Sequence, residues 1–148
     1  MKSILVAIEF PVSSKSVLDI AKKFAWEFKA KLNVMHSESV DSYINHIISE
    51  DNLTFSNNLM LEYRKKYEKL MSDLQKELVA EHIESECILV EGPTVDCILS
   101  VAKEVKAEMI ILGSHEHGKF YHLLMGSTHN LLIKKSEIPI LIIPPHIN

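Results

Sequence analysis

The sequence predicts an α/β fold with an open parallel sheet flanked by helices. Five short runs rich in Ile, Val and Leu recur along the chain without polar alternation. Such runs suit strands covered on both faces, as in a parallel sheet. Between them, apolar residues return at intervals of three and four, the spacing of one helix face. Strands alternating with helices imply right-handed crossovers and a doubly wound sheet.

The first strand is residues 4–8, entered directly from Met1-Lys2-Ser3. Val17, Ala21, Phe24 and Phe28 form the first helical stripe, and Ser13 or Ser14 can cap its start with a hydroxyl acceptor. Residues 32–35 make the second strand. Residues 37–58 are the irregular stretch, with a short helix near 43–48 followed by polar Ser49-Glu-Asp-Asn52 and Ser56-Asn-Asn58. A connection of this length leaves the strand end where open α/β sheets bind ligands, which makes it a candidate lid. A plain surface excursion is the competing reading. Tyr63, Tyr67, Leu70, Leu74 and Leu78 give a second stripe, and residues 87–90 the third strand. Val95, Ile98, Leu99, Ala102 and Val105 give a third stripe, with Pro93 suited to its first turn. Residues 109–112 form the fourth strand. Leu131 and Leu132 anchor a short helix from about Ser127 to Lys135, and residues 138–143 close the sheet.

A chain of 148 residues suffices for one domain, 1–148, with a substantial core. Apolar residues at 47% and charged residues at 24% are ordinary for a globular protein, which argues against a disordered chain. The net charge of -4 supplies no basic field, so nucleic acid is not an expected partner. A small anion held by local amides is compatible with it. No segment reaches the roughly 18 apolar residues of a membrane span, and no signal-peptide pattern opens the chain. A cytoplasmic protein without a membrane partner is expected. Cys87 and Cys97 lack metal-type spacing and a CxxC partner, so both are expected as free thiols.

Function is concentrated in Ile110-Ile-Leu-Gly-Ser-His-Glu-His-Gly-Lys119 and the Gly126-Ser127-Thr128 that follows. Amides exposed at glycines, with a hydroxyl at a helix N-terminus, suit a phosphate. Glu116 works against one. A carboxylate about 5 Å from a phosphate charge, at an effective dielectric of about 20, costs on the order of 3 kcal/mol. That corresponds to roughly a hundredfold in affinity. Lys119 can compensate, or a divalent cation can bridge Glu116 and the phosphates. A triphosphatase P-loop is not expected. Gly113, Gly118 and Lys119 fit its pattern, but Phe120 stands where Ser or Thr must reach magnesium. His115, His117, His122 and His129 crowd the same region, yet alternate loop residues lack a third fixed ligand, so no metal site is assigned. Ser127 has no dedicated base and no GxSxG elbow. No catalytic residue is assigned, and slow ATP hydrolysis is the most the loop would support.

The longer glycine spacing resembles the nucleotide motif of the universal stress protein family: glycine, two residues, glycine, nine residues, glycine, then Ser or Thr. Gly113 is the first glycine and Gly126-Ser127 the last pair, while Glu116 replaces the middle glycine. The resemblance extends along most of the chain. Ile4-Leu-Val-Ala-Ile8-Glu9 is similar to the family's first strand and its terminal acid, there usually Asp. Leu32-Asn-Val-Met-His36 is similar to the second strand ending in His. Val90-Glu-Gly92-Pro93 and Ile138-Pro-Ile-Leu-Ile-Ile-Pro144 match the third strand's exit and the closing strand. The resemblance implies a five-stranded parallel sheet of order 3-2-1-4-5, Rossmann-like and adenine nucleotide alpha hydrolase-like. It implies an adenine nucleotide, ATP or a relative with Mg or Mn, held by Ala7, Ile8, Glu9, Ser37, Gly113, Ser114, His115, Gly118, Gly126, Ser127 and Thr128. Glu9 would approach the ribose, the Ser37 backbone the adenine edge, and Gly126 to Thr128 the phosphates. It also implies a homodimer through the edge strand, Ile138 to Ile143, acting as a stress-response regulatory module. The alternative is a family member that has lost nucleotide binding and acts as a protein-interaction dimer.

Overall fold

The computed structural model describes residues 1–9, 14–38, 55–114 and 129–144. Its elements run β1 (Ser3–Ala7), α1 (Ser14–Phe28), β2 (Lys31–Glu38), α2 (Phe55–Ala80), β3 (Ser85–Glu91), α3 (Thr94–Glu104), β4 (Met109–Gly113), α4 (His129–Lys135) and β5 (Ile140–Ile143). The strands form a five-stranded sheet of order β3-β2-β1-β4-β5, parallel at every pairing. The fold class expected from the sequence is therefore observed.

The apolar runs explain the layering. β1, β2 and β4 are buried from their second residue onward, whereas the edge strands β3 and β5 are mostly half-exposed. Side chains alternate across each strand and feed two cores. Ile4, Val6 and Ile8 pack with Val17, Leu18 and Ala21 of α1 and with Met71, Leu74 and Leu78 of α2. Leu5 and Ala7 pack with Val95, Ile98, Val101 and Ala102 of α3 and with Leu132 of α4. Ile4, Leu5, Ile110, Ile111 and Leu112 are fully buried, each contributing about 1.5–3 kcal/mol of transfer free energy. Helices α1 and α2 thus cover one face, α3 and α4 the other.

Helices α1, α2 and α3 end without glycine. Lys29, His82 and Lys106 take left-handed φ values of 51, 59 and 51. After each, the chain turns back with paired bonds: Ala30 N–H to Ala25 O, Ile83 N–H to Leu78 O and Ala107 N–H to Ala102 O. The residue after each turn (Ala30, Ile83, Ala107) is buried, so apolar docking holds the helix end where glycine would otherwise be favoured.

Several boundaries differ from the sequence reading. The irregular stretch expected over 37–58 is shorter at both ends. Ser37 and Glu38 belong to β2, because that strand continues its pairing with β3 to Glu91, and α2 already begins at Phe55. The short helix near 43–48 and the lid reading lie outside the described residues. The closing strand starts at Ile140, not 138. Ser136 folds its hydroxyl onto the Ile138 carbonyl at 2.8 Å, and the chain enters the sheet only after Pro139. Phe28 was expected on the buried stripe but is 47% exposed, since it falls on the last residue of α1, beyond the sheet it would cover.

Candidate functional site

The strand order places β1 beside β4, and the helices that follow them in the sheet lie on opposite faces. A crevice opens at the carboxyl ends of such strands. Ala7 pairs with Leu112 as the last rung between β1 and β4. Ile8, Glu9, Gly113 and Ser114 are the residues that step out past it. Ala7, Ile8 and Leu112 are 1%, 2% and 0% exposed, so the crevice floor is apolar. Glu9 stands half-buried at its lip, where it is engaged by neighbouring groups.

Gly113 is the last residue of β4 and pairs with Ile143. Ser114 follows, with its N–H donating to the Ile143 carbonyl at 2.8 Å and its hydroxyl to the same oxygen at 3.3 Å. The Ser114 side chain is therefore turned toward β5. Its remaining acceptor capacity is what a ligand could use.

β2 runs past its last pairing with β1 at Met35, carrying His36, Ser37 and Glu38 beyond that rung. Ser37 is buried, and its hydroxyl donates to Thr94 Oγ1 at 3.3 Å, tying the strand to the start of α3. The Ile8 backbone is held from both sides. Its N–H donates to the Met35 carbonyl at 2.9 Å, and its carbonyl faces His36 Nδ1 at 3.0 Å. The other His36 nitrogen, Nε2, meets Glu38 Oε1. Sequence reasoning missed this pair because Glu38 was assigned to the irregular stretch; two-residue alternation extended past His36 would have found it.

Of the residues expected to meet a nucleotide, the structure gathers Ala7, Ile8, Glu9, Gly113 and Ser114 around one strand end, with Ser37 on the neighbouring strand. His115, Gly118, Gly126, Ser127 and Thr128 lie outside the described residues, as do Glu116 and Lys119. No cluster of metal-ligating side chains occurs among the described residues. None of the described helices is long and apolar enough to cross a membrane. Cys87 and Cys97 are free thiols. Burial, and then the Glu86 charge, push the Cys87 thiol up to about 11, which leaves it protonated and a poor nucleophile at neutral pH.

Two further grooves lie at the opposite end of the sheet. One, of 370 Å³, runs between the ends of α1 and α2 beside Trp26, Lys29 and His82. The other, of 530 Å³, lies between α3 and α4 with Lys103, Lys106 and Lys135 at its rim. Neither reaches the strand ends that carry Glu9 and Gly113.

The universal stress protein family model matches residues 1–144. The chain is 30% identical to universal stress protein A homolog 2 of Coxiella burnetii, over 95% of this chain and 92% of that one. Over 55% of its length it is 27% identical to the stress response protein NhaX of Bacillus subtilis, a match that spans 49% of the relative's length. The fold is similar to that of the protein MJ0577 of Methanocaldococcus jannaschii, with a TM-score of 0.75, 24% identity, and 99% and 98% of the two chains covered. It is also similar to a universal stress protein solved in complex with cAMP, with a TM-score of 0.68, 18% identity and 98% of each chain covered.

Proposed function

The chain belongs to the universal stress protein family, and from that premise we propose that it binds an adenine nucleotide, ATP or a close relative, as a dimeric regulatory module in the cytoplasm. One observation carries the reading. The ends of β1 and β4 lie side by side at the point where the helices change face, which sets Ile8-Glu9 opposite Gly113 over an apolar floor. An adenosine fits that chemistry: Glu9 accepts hydrogen bonds from ribose hydroxyls, and the Ser37 backbone offers hydrogen bonds to the adenine edge. In this proposal Gly126, Ser127 and Thr128 hold the phosphates, with His115 and Gly118 lining the way. The family relative solved with cAMP supports a nucleotide of this type. When bound, Mg or Mn would supply charge between Glu116 and the phosphates. The homodimer of the proposal uses β5, and the exposed Ile142 on that edge favours it.

Glu116 favours a second reading, a family member with a closed cradle that works through its dimer surface. Calorimetry with ATP on the natural protein and on Glu116→Gly, each with and without Mg, separates the two. Micromolar binding by the natural protein supports the first. Binding only by Glu116→Gly supports the second, and silence from both refutes nucleotide binding.

A further inference from the structure

The end of β2 carries a buried pair that the nucleotide reading leaves unused. His36 is 2% exposed and Glu38 6%, and strand alternation puts both on the face covered by α1 and α2. Nε2 of His36 meets Oε1 of Glu38, and Nδ1 lies 3.0 Å from the Ile8 carbonyl oxygen. Tyr67 of α2 closes over the imidazole with ring centroids 4.6 Å apart. Its phenol is pushed above the usual range by burial first, then by the charges of Glu38 and Tyr63. Among the described residues, Tyr67 from α2 and the Ile8 carbonyl from the end of β1 face the pair.

The hydrogen-bond chemistry restricts where protons sit. A carbonyl oxygen only accepts, so Nδ1 carries a proton. Nε2 then either donates a second proton to an ionised carboxylate or accepts one from a protonated carboxyl. Both arrangements put one proton between Nε2 and Oε1. Without that proton, a bare nitrogen lone pair would stand against a carboxylate inside the fold, two acceptors in repulsive contact. We propose that His36 and Glu38 act as one proton-bridged positioning unit, which fixes the orientation of the imidazole and, through Nδ1–H, holds the Ile8 carbonyl and so the exit of Glu9 from β1. This rests on the nucleotide reading only in its consequence, since Glu9 is the residue proposed to meet the ribose.

Imidazole nitrogen NMR on the natural protein, Glu38→Gln and Glu38→Leu tests it, with amide shifts of Ile8 and Glu9 recorded in parallel. The natural protein should show His36 Nδ1 as N–H and a slowly exchanging, far-downfield bridging proton. Glu38→Gln should keep the Nδ1–H tautomer, because its carboxamide N–H donates to Nε2. Glu38→Leu should leave Nε2 without its partner, loosen the imidazole and move the Ile8 and Glu9 amides. ATP affinity should fall roughly tenfold in Glu38→Leu, the loss of about one hydrogen bond's worth of positioning, and recover in Glu38→Gln. An unprotonated Nδ1 in the natural protein overturns the proposal, as do Glu38→Gln and Glu38→Leu that behave alike. If Glu38→Leu does not fold, the tautomer in Glu38→Gln decides. Absence of ATP binding in every form refutes the nucleotide reading alone, and the imidazole signals still judge the pair.

Discussion

Replacing Gly92 with alanine is expected to destabilise the fold by about 2–4 kcal/mol, through two causes that can be measured apart. Gly92 has φ +135, a backbone conformation that L side chains rarely adopt. Holding a side chain in so sparsely populated a region costs about 1–3 kcal/mol. A Cβ at this position would also stand 3.2 Å from Cys97 Sγ. That sulfur already contacts the Glu91 carbonyl at 3.6 Å, so it yields only by giving up the contact, at a cost of about 1 kcal/mol. The Gly92 N–H donates to the Glu38 carbonyl at 2.9 Å, which keeps the backbone from relaxing freely. Urea unfolding of the natural protein, Gly92→Ala, Cys97→Ala and the double variant separates the two causes. The double variant should regain the contact share and keep the backbone share. A single variant within about 0.5 kcal/mol of the natural protein would refute the reasoning, as would full recovery in the double variant.

His82→Gly relieves a left-handed residue at the end of α2, worth about 1–2 kcal/mol, against about 0.4–1 kcal/mol of added unfolded-state entropy. Its melting temperature should rise by about 2–4 °C in calorimetry, and a fall contradicts the balance. Alkylation at neutral pH, followed by mass spectrometry, should modify Cys97 before Cys87. Burial raises both thiols but takes Cys87 to about 11, and modification of Cys87 first would contradict the ranking. Ile142→Glu places a charge on the exposed edge of β5 and should convert a dimer to monomer in sedimentation velocity while leaving the circular dichroism unchanged. A natural protein that sediments as a monomer removes the dimer from the proposal.

The sheet was legible because its signals are local and strong. Ile4-Leu-Val-Ala-Ile8 and Met109-Ile-Ile-Leu112 admit little besides a buried strand, and the stripe through Val95, Ile98 and Ala102 matches the buried side of α3. Element ends were less legible. The left-handed turns at Lys29, His82 and Lys106 carry no glycine to announce them, since burial of the next residue does the work. Met71, buried on α2, was not placed on the stripe although it falls one position from Leu70. At the site, Glu9 and Ser37 were named through the family resemblance and Gly113 from its glycine loop; the structure puts all three at the ends of neighbouring strands. The His36–Glu38 pair was not, because the polar residues after His36 read as the start of a loop, which hides the alternation that sets Glu38 on the same face as His36. Asn33 is a similar case. Its amide donates to Ser3 Oγ and the Ile4 carbonyl from a fully buried position, a polar group inside an apolar run that periodicity alone assigns to the core.

The central claim is that an adenine nucleotide enters at the ends of β1 and β4, and amide NMR with ATP tests it most directly. On titration, the amides of Ile8, Glu9, Ser37, Gly113 and Ser114 should shift together with one affinity. Those of Trp26, Ile83 and Ala107, at the far end of the sheet, should stay in place. Shifts centred on the groove beside Lys103, Lys106 and Lys135, or no shifts at all at millimolar ATP, would contradict the account.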